Sequence, residues 1–252
     1  MTDLRWLMDM ERRLKPDGGT LWWVTLRGEI ARLVRDLERP VILDAGCGNV
    51  SQVAADLGGR PGLRVGVDID REAARNPDID RFITASVERL PVRSGSVDLV
   101  ISSYVIEHLP DPGSAFREIG RVLKPGGTAI VWTSNLLNYA ILVAAITPSR
   151  FHNWVRRLAF PHQGKDNPPT YYRANTRPAL LRALREAGLE PDGGVRFGAG
   201  AYHYWRFSKP LFVAAALASR FVSLRPLARF KNVLIVRCTK PARPGAPPPP
   251  LP

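Results

Sequence analysis

The chain has 252 residues, is 45% hydrophobic, and carries 36 Lys and Arg against 23 Asp and Glu, a formal net charge of +13. This length and apolar content support a real core, suit one large α/β domain with or without an elaborate cap, and exclude a disordered chain. Its two cysteines, Cys47 and Cys238, lie too far apart in sequence to suggest a disulfide scaffold and read as small buried fillers in a reducing compartment.

The opening residues MTDLRWLMDMERRLKPDGG hold acids and no apolar h-region, so no signal peptide is expected, and no apolar run reaches the length of a membrane span. Residues 3–15 and 20–38 are predicted helices, separated by the break Lys15-Pro16-Asp17-Gly18-Gly19. The second puts Leu26, Ile30, Leu33, Val34 and Leu37 at three-to-four spacing. Strands are predicted at 41–45, 63–68, 81–84, 97–102 and 127–133, with helices between them at 52–57 and 113–123. Alternation of this kind implies a parallel sheet with right-handed crossovers. Lys124-Pro125-Gly126-Gly127 is expected to end a helix and turn the chain into the fifth strand.

The first two strands carry the strongest signal. Val41-Ile42-Leu43-Asp44 is an apolar run ending in an acid, and Gly46 and Gly48 follow one residue apart, as in a tight turn that lets a ligand approach the backbone. Leu63 to Val67 then ends in a second acid, Asp68, placed to accept hydrogen bonds from ribose hydroxyls. The third glycine of the dinucleotide fingerprint is missing, because Ser51 stands there, and the acid at the turn would repel a pyrophosphate. The pattern points to a nucleoside-containing cofactor without a pyrophosphate, at the carboxyl edge of a doubly wound sheet.

Residues 134–177 are too long for a simple connection and hold an apolar run, Leu136 to Ile146, followed by four prolines and by Trp154, Tyr171 and Tyr172. Thr176 and Pro178 open a predicted helix over 177–187 that stops at Gly188. Strands are expected at about 193–198 and 232–238. Between them the run Leu211 to Ala218, with Arg206, Lys209, Arg220, Arg225, Arg229 and Lys231 around it, reads either as a helix packed on the sheet or a dimer face, or as a helix on an anionic membrane surface. The tail 241–252 is Pro-rich and expected to be disordered.

The motifs LDAGCG, GVDID, Leu90-Pro91, SVDLV, Glu107-His108 and RVLKPGG occur in that order across roughly residues 40–135. In order and spacing they resemble the class I S-adenosylmethionine-dependent methyltransferases, specifically the type 11 methyltransferase domain group. The resemblance implies a Rossmann-like seven-stranded α/β sheet over 40–240, an acceptor-side cap inserted after the fifth strand at 134–177, and N-terminal helices (1–39) covering the cofactor site. It implies S-adenosylmethionine as cofactor, with Asp44, Gly46 and Gly48 around the methionine portion. Asp68 would bind the ribose, Ile69 pack on the adenine, and Ser86 and the Val87 backbone meet the adenine edge. The main chain at Ser102 would face the methionine amino group. His108 is the candidate catalytic base, with a purely structural role as its alternative. Two residues depart from the family pattern: Val50 stands in place of a glycine, and Ser86 in place of an acid.

Residues 1–149 hold 18 bases and 19 acids, net −1, whereas 150–252 hold 18 bases and 4 acids, net +14. The asymmetry suggests either an anionic partner or a solvated arginine surface. The leading reading is a methyltransferase for a small or lipid- or carrier-linked anionic acceptor, with transfer to oxygen. It would be cytoplasmic, with peripheral contact at the inner membrane face as an option. RNA modification is disfavoured for want of an RNA-binding module or an amine-methylating motif after the fourth strand. A cofactor-binding regulatory protein without catalysis remains the other alternative. His108, His152, His162 and His203 form no metal-ligand spacing, and no metal is expected.

Overall fold

The computed structural model describes residues 22–50, 62–147, 168–198 and 208–242. The predicted helices at 3–15 and 52–57, the middle of the expected cap (148–167) and most of the tail lie outside the described residues, as do His152, His162 and His203.

A seven-stranded sheet is built from β1 (Val41–Ala45), β2 (Leu63–Asp68), β3 (Arg81–Thr84), β4 (Val97–Ser103), β5 (Leu123–Ser134), β6 (Glu190–Gly198) and β7 (Val233–Thr239). The strand order is 3-2-1-4-5-7-6. β7 runs antiparallel to both β5 and β6, and the remaining pairs are parallel. The order reverses between β1 and β4, which puts the crevice for a ligand at their carboxyl ends.

Alternate residues of the central strands face opposite sides. Leu43, Val100, Ala129, Val131, Leu234 and Val236 belong to one core, shared with α2 (Pro112–Val122) through Phe116 and Ile119 and with α4 (Arg177–Glu186) through Leu180 and Leu184. Ile42, Leu99, Ile101, Ile130, Trp132 and Ile235 belong to the other, covered by Leu26, Ile30 and Val34 of α1 (Trp22–Arg35). These three recur every four residues, which is why a helix forms there and why only one stripe of it is apolar. The described part of the 1–39 region therefore lies on a face of the sheet. Glu29 fastens it at the far edge, through Arg196 at 2.6 Å and Arg237 at 3.3 Å.

Helix ends follow their caps. Asp111 accepts from the Ser114 amide ahead of α2, and Thr176 from the Ala179 amide ahead of α4, while Gly188 at φ +74° closes α4. The fifth strand corrects the sequence reading. It begins at Leu123, directly after α2, and Lys124 to Gly127 form a bulge within it: Leu123 pairs with Val97, and the next pair is Thr128 with Leu99. The bulge is held by Asp98, which takes Lys124 Nζ at 2.7 Å and the Val41 amide at 2.9 Å. β6 likewise starts three residues earlier than expected, at Glu190.

α3 (Tyr139–Ile146) follows β5, and α5 (Lys209–Phe221) precedes β7. α5 turns Phe212, Ala215, Ala216 and Ser219 inward. Among the described residues no helix is long and apolar enough to cross a membrane.

Candidate functional site

The carboxyl end of β1 leaves the sheet through a turn that several groups pin. The Gly46 and Cys47 amides donate to the Val67 carbonyl of β2 at 2.7 and 3.2 Å. Gly48 N donates to Asp68 Oδ2 at 2.9 Å, and the other oxygen of Asp68 takes the Asp70 amide at 2.8 Å. Asn76, buried beneath, donates through Nδ2 to the carbonyls of Cys47 at 3.2 Å and Gly48 at 3.0 Å.

Gly46 is required by contact, whereas Gly48 is favoured by its backbone alone. Gly46 has φ +84°, and a Cβ there would lie 2.1 Å from Val105 Cγ2. Gly48 has φ +52°, and the space where its Cβ would stand is open to beyond 4 Å.

Asp44 is buried at the end of β1, and Asp68 stands across the turn at the tip of β2. Burial, followed by the charges of Asp44 and Asp68, pushes the Cys47 thiol between them up to about 12. Such a turn is negative and would reject a pyrophosphate. An adenosyl sulfonium cofactor fits it. The open side of Gly48 admits its backbone-hugging portion, and Asp68 is oriented by two amides while each carboxylate oxygen keeps capacity for a ribose hydroxyl. Ile69, 73% exposed beside Asp68, offers an apolar surface to a purine.

The remaining expected residues lie along the same edge. Ser102 is buried near the end of β4. Val87 sends its side chain into the core, so only its backbone is available to a ligand. Ser86 Oγ takes the Glu88 amide at 3.1 Å and lies 3.4 Å from Glu88 Oε2, which puts a carboxylate in this loop although residue 86 is neutral.

The acceptor side follows β4. Tyr104, at φ +53°, donates its amide to the Trp132 carbonyl at 3.0 Å, and Tyr172 has φ +51°. Left-handed backbone in bulky residues stores about 1–3 kcal/mol each and gathers where structure serves a ligand. A short 3-10 turn, Ile106–His108, comes next. His108 Nδ1 lies 2.9 Å from the Pro169 carbonyl, so a neutral ring carries its proton there and leaves Nε2 to accept. Glu107 is buried and takes Thr133 Oγ1 at 2.6 Å and Ser134 Oγ at 2.9 Å. Asn175 donates to Thr133 Oγ1 at 2.8 Å and to the Ser134 carbonyl at 2.7 Å.

Asp44, Gly46, Gly48, Asp68, Ile69, Ser86, Val87, Ser102 and His108 thus all fall at the carboxyl ends of β1 to β4. Sequence reasoning missed Asn76, Tyr104 and Asn175, and it used Glu107 only as a motif letter. Asn76 reaches back 28 and 29 residues for its partners, and no local pattern marks such a bond. Among the described residues no group of three or more His, Cys, Asp or Glu could hold a metal ion.

The family described as Methyltransferase domain matches residues 43–131. A probable S-adenosylmethionine-dependent methyltransferase of Mycolicibacterium smegmatis is 31% identical over 170 residues, covering 63% of this chain and 56% of that protein. A ubiquinone biosynthesis O-methyltransferase of Ralstonia nicotianae is 30% identical over 161 residues, covering 60% of this chain and 63% of its own length. The chain thus spans little more than half the length of the first of these relatives. Among solved structures the cyclase SpnF superposes with a TM-score of 0.54 at 19% identity, over 94% of each chain, which is a likeness of fold.

Proposed function

We propose that the chain is a class I S-adenosylmethionine-dependent methyltransferase that methylates an oxygen of a small, amphipathic, anionic or lipid- or carrier-linked acceptor. The observation that carries the proposal is one sheet edge holding the Asp44–Gly48 turn, Asp68 and, beyond β4, a histidine whose Nδ1 is held by a carbonyl. The cofactor supplies a methyl group on a sulfonium, an electrophile that needs no further activation.

The protein's part is to bind, orient and take a proton. Asp68 and the Gly46–Gly48 backbone would hold the nucleoside and methionine ends, and Ser102 would contribute its main chain. His108 Nε2 would accept the proton of the acceptor hydroxyl, becoming an imidazolium that its Pro169 hydrogen bond stabilises, while the methyl group would pass from the sulfonium to that oxygen, the S–CH3 bond breaking and the cofactor leaving as its neutral thioether. Tyr104 and Tyr172 would flank the acceptor. Transfer to oxygen is supported by the O-methyltransferases among the relatives.

The choice of acceptor is supported by the last part of the chain. No acid occurs after Asp192, whereas Lys209, Arg220, Arg225, Arg229 and Lys231 surround α5. Leu217, Phe221 and Leu224 are exposed along that helix and just beyond it. Apolar surface ringed by bases suits a peripheral stance on an anionic bilayer, where such an acceptor would be met.

The test is incubation with methyl-labelled S-adenosylmethionine and a panel of phenols and carboxylic acids of increasing alkyl chain length, with amines and bulk RNA as comparison. Labelled ethers or esters with longer chains preferred are expected; label confined to nitrogen products or RNA would refute the proposal. Val50 and Ser86, which stand where the family pattern has a glycine and an acid, favour a second reading: cofactor binding without methyl transfer. Tight binding with no labelled product from any class would support it.

A further inference from the structure

The two halves of the site hang on one segment, residues 105–108. On one side Val105 packs so closely on the glycine turn that a Cβ on Gly46 would be 2.1 Å from its Cγ2. On the other side the Glu107 carbonyl takes the Tyr171 and Tyr172 amides at 2.7 and 3.2 Å, and His108 Nδ1 lies 2.9 Å from the Pro169 carbonyl. The Glu107 carboxylate closes the joint from within, through Thr133, Ser134 and, at one remove, Asn175.

The donors in this joint run one way. The Asn175 amide gives to Thr133 Oγ1, and the Thr133 and Ser134 hydroxyls both give to residue 107. Glutamate takes both hydroxyls as a charged acceptor; glutamine in its place would hold Thr133 through its one oxygen, turn Ser134 from donor to acceptor, and lose the charge that strengthens both bonds. Buried groups left without partners cost far more than exposed ones, so a joint that already leaves Asn175 Oδ1 unpaired resists losing its remaining bonds. Tyr172 shows what the arrangement holds down, since its φ of +51° persists only where neighbouring contacts over-determine it.

We infer that Glu107 is a positioning residue that locks residues 168–176 over the acceptor side and makes the order of that strap depend on occupancy of the cofactor turn. The inference rests on the reading of the turn as a cofactor site. A ligand seated against Gly46 and Gly48 fixes Val105, Val105 fixes the 106–108 turn, and the carbonyl of Glu107 fixes Tyr171 and Tyr172. His108 and Tyr172 then reach their working positions together, after the cofactor and before the acceptor.

The test is amide hydrogen exchange at Tyr171 and Tyr172 in the full chain, with and without saturating S-adenosylhomocysteine, in the parent and in Glu107→Gln. In the parent the ligand should slow both amides by about tenfold, within the usual range of coupling between sites, and in Glu107→Gln by less than about twofold. A merely structural Glu107 would speed exchange in the variant yet leave the ligand-induced ratio unchanged, and that result overturns the inference. So does a parent that binds the ligand by calorimetry without slowing these amides. A parent that shows no calorimetric binding overturns the cofactor reading itself, so the two failures are told apart. Should Glu107→Gln not fold, Asn175→Ala breaks the joint from its other side and is read by the same ratio.

Discussion

Removing the Asp68 side chain separates its two tasks. In the structure its oxygens hold the amides of Gly48 at 2.9 Å and Asp70 at 2.8 Å, so Asp68→Ala strips two donors from the turn as well as the proposed ribose acceptor. Both amides are only part-buried, and water can replace the lost partner, so the stability cost belongs near the low end of the range, about 1 kcal/mol for each. Loss of the ribose contacts adds about 1–3 kcal/mol to cofactor binding, which at 1.4 kcal/mol per decade is about 5- to 150-fold in Kd. Asn76→Ala is the control, because it frees the Cys47 and Gly48 carbonyls from the same turn without touching a ribose acceptor. Calorimetry with S-adenosylhomocysteine, paired with urea unfolding, should show similar losses of stability in the two variants and a much larger loss of affinity in Asp68→Ala. Equal losses of affinity would make Asp68 a turn tie alone, and a folded Asp68→Ala with parental affinity would refute its assignment altogether.

Other consequences follow from the same geometry. Gly46→Ala should lose about 2–5 kcal/mol of stability in urea, from a left-handed φ together with a forced shift of Val105; a loss under about 1 kcal/mol would show that the turn relaxes freely. The thiols of Cys47 and Cys238, each pushed up to about 12 chiefly by burial, are protonated in the folded state where an unfolded chain would ionise near 9. Their stabilising effect is complete below pH 9 and is lost as pH rises towards 12, so urea midpoints should fall over that window, and by less in Cys238→Ala. Reversing Arg220, Arg225 and Arg229 to Glu should abolish sedimentation with anionic vesicles while leaving S-adenosylhomocysteine affinity unchanged; unaltered sedimentation would rule out a membrane role for the bases at the end of α5 and in the turn after it.

Much of this fold was legible in the sequence, for identifiable reasons. β1, β2 and β3 were placed to the residue because each is a short apolar run ending at a polar or glycine-rich turn, so composition and boundary coincide. The start of β5 was misplaced because Lys124-Pro125-Gly126-Gly127 resembles a helix stop and connector. Leu123 ahead of it carries no strand signal of its own, and its pairing with Val97 is a tertiary fact. Of the proposed site, the positions of Asp44, the two glycines and Asp68 at consecutive strand tips were readable, because an apolar run ending in an acid or a glycine turn marks each tip. Glu107 and Asn175 were not, because what defines them is where Thr133 and Ser134 arrive, 26 and 27 residues beyond Glu107, and sequence spacing does not encode that meeting. Ser86 read as a lost charge, yet the neighbouring Glu88 places a carboxylate 3.4 Å away.

Everything proposed for this chain depends on the negative glycine turn between β1 and β2 taking an adenosyl sulfonium and refusing a pyrophosphate. Calorimetric titration of the full chain with S-adenosylmethionine and, in parallel, with NAD tests it most directly. One saturable site for S-adenosylmethionine, weakened in Asp68→Ala, and no heat of binding for NAD are expected; saturable NAD binding with no signal from S-adenosylmethionine would overturn the assignment.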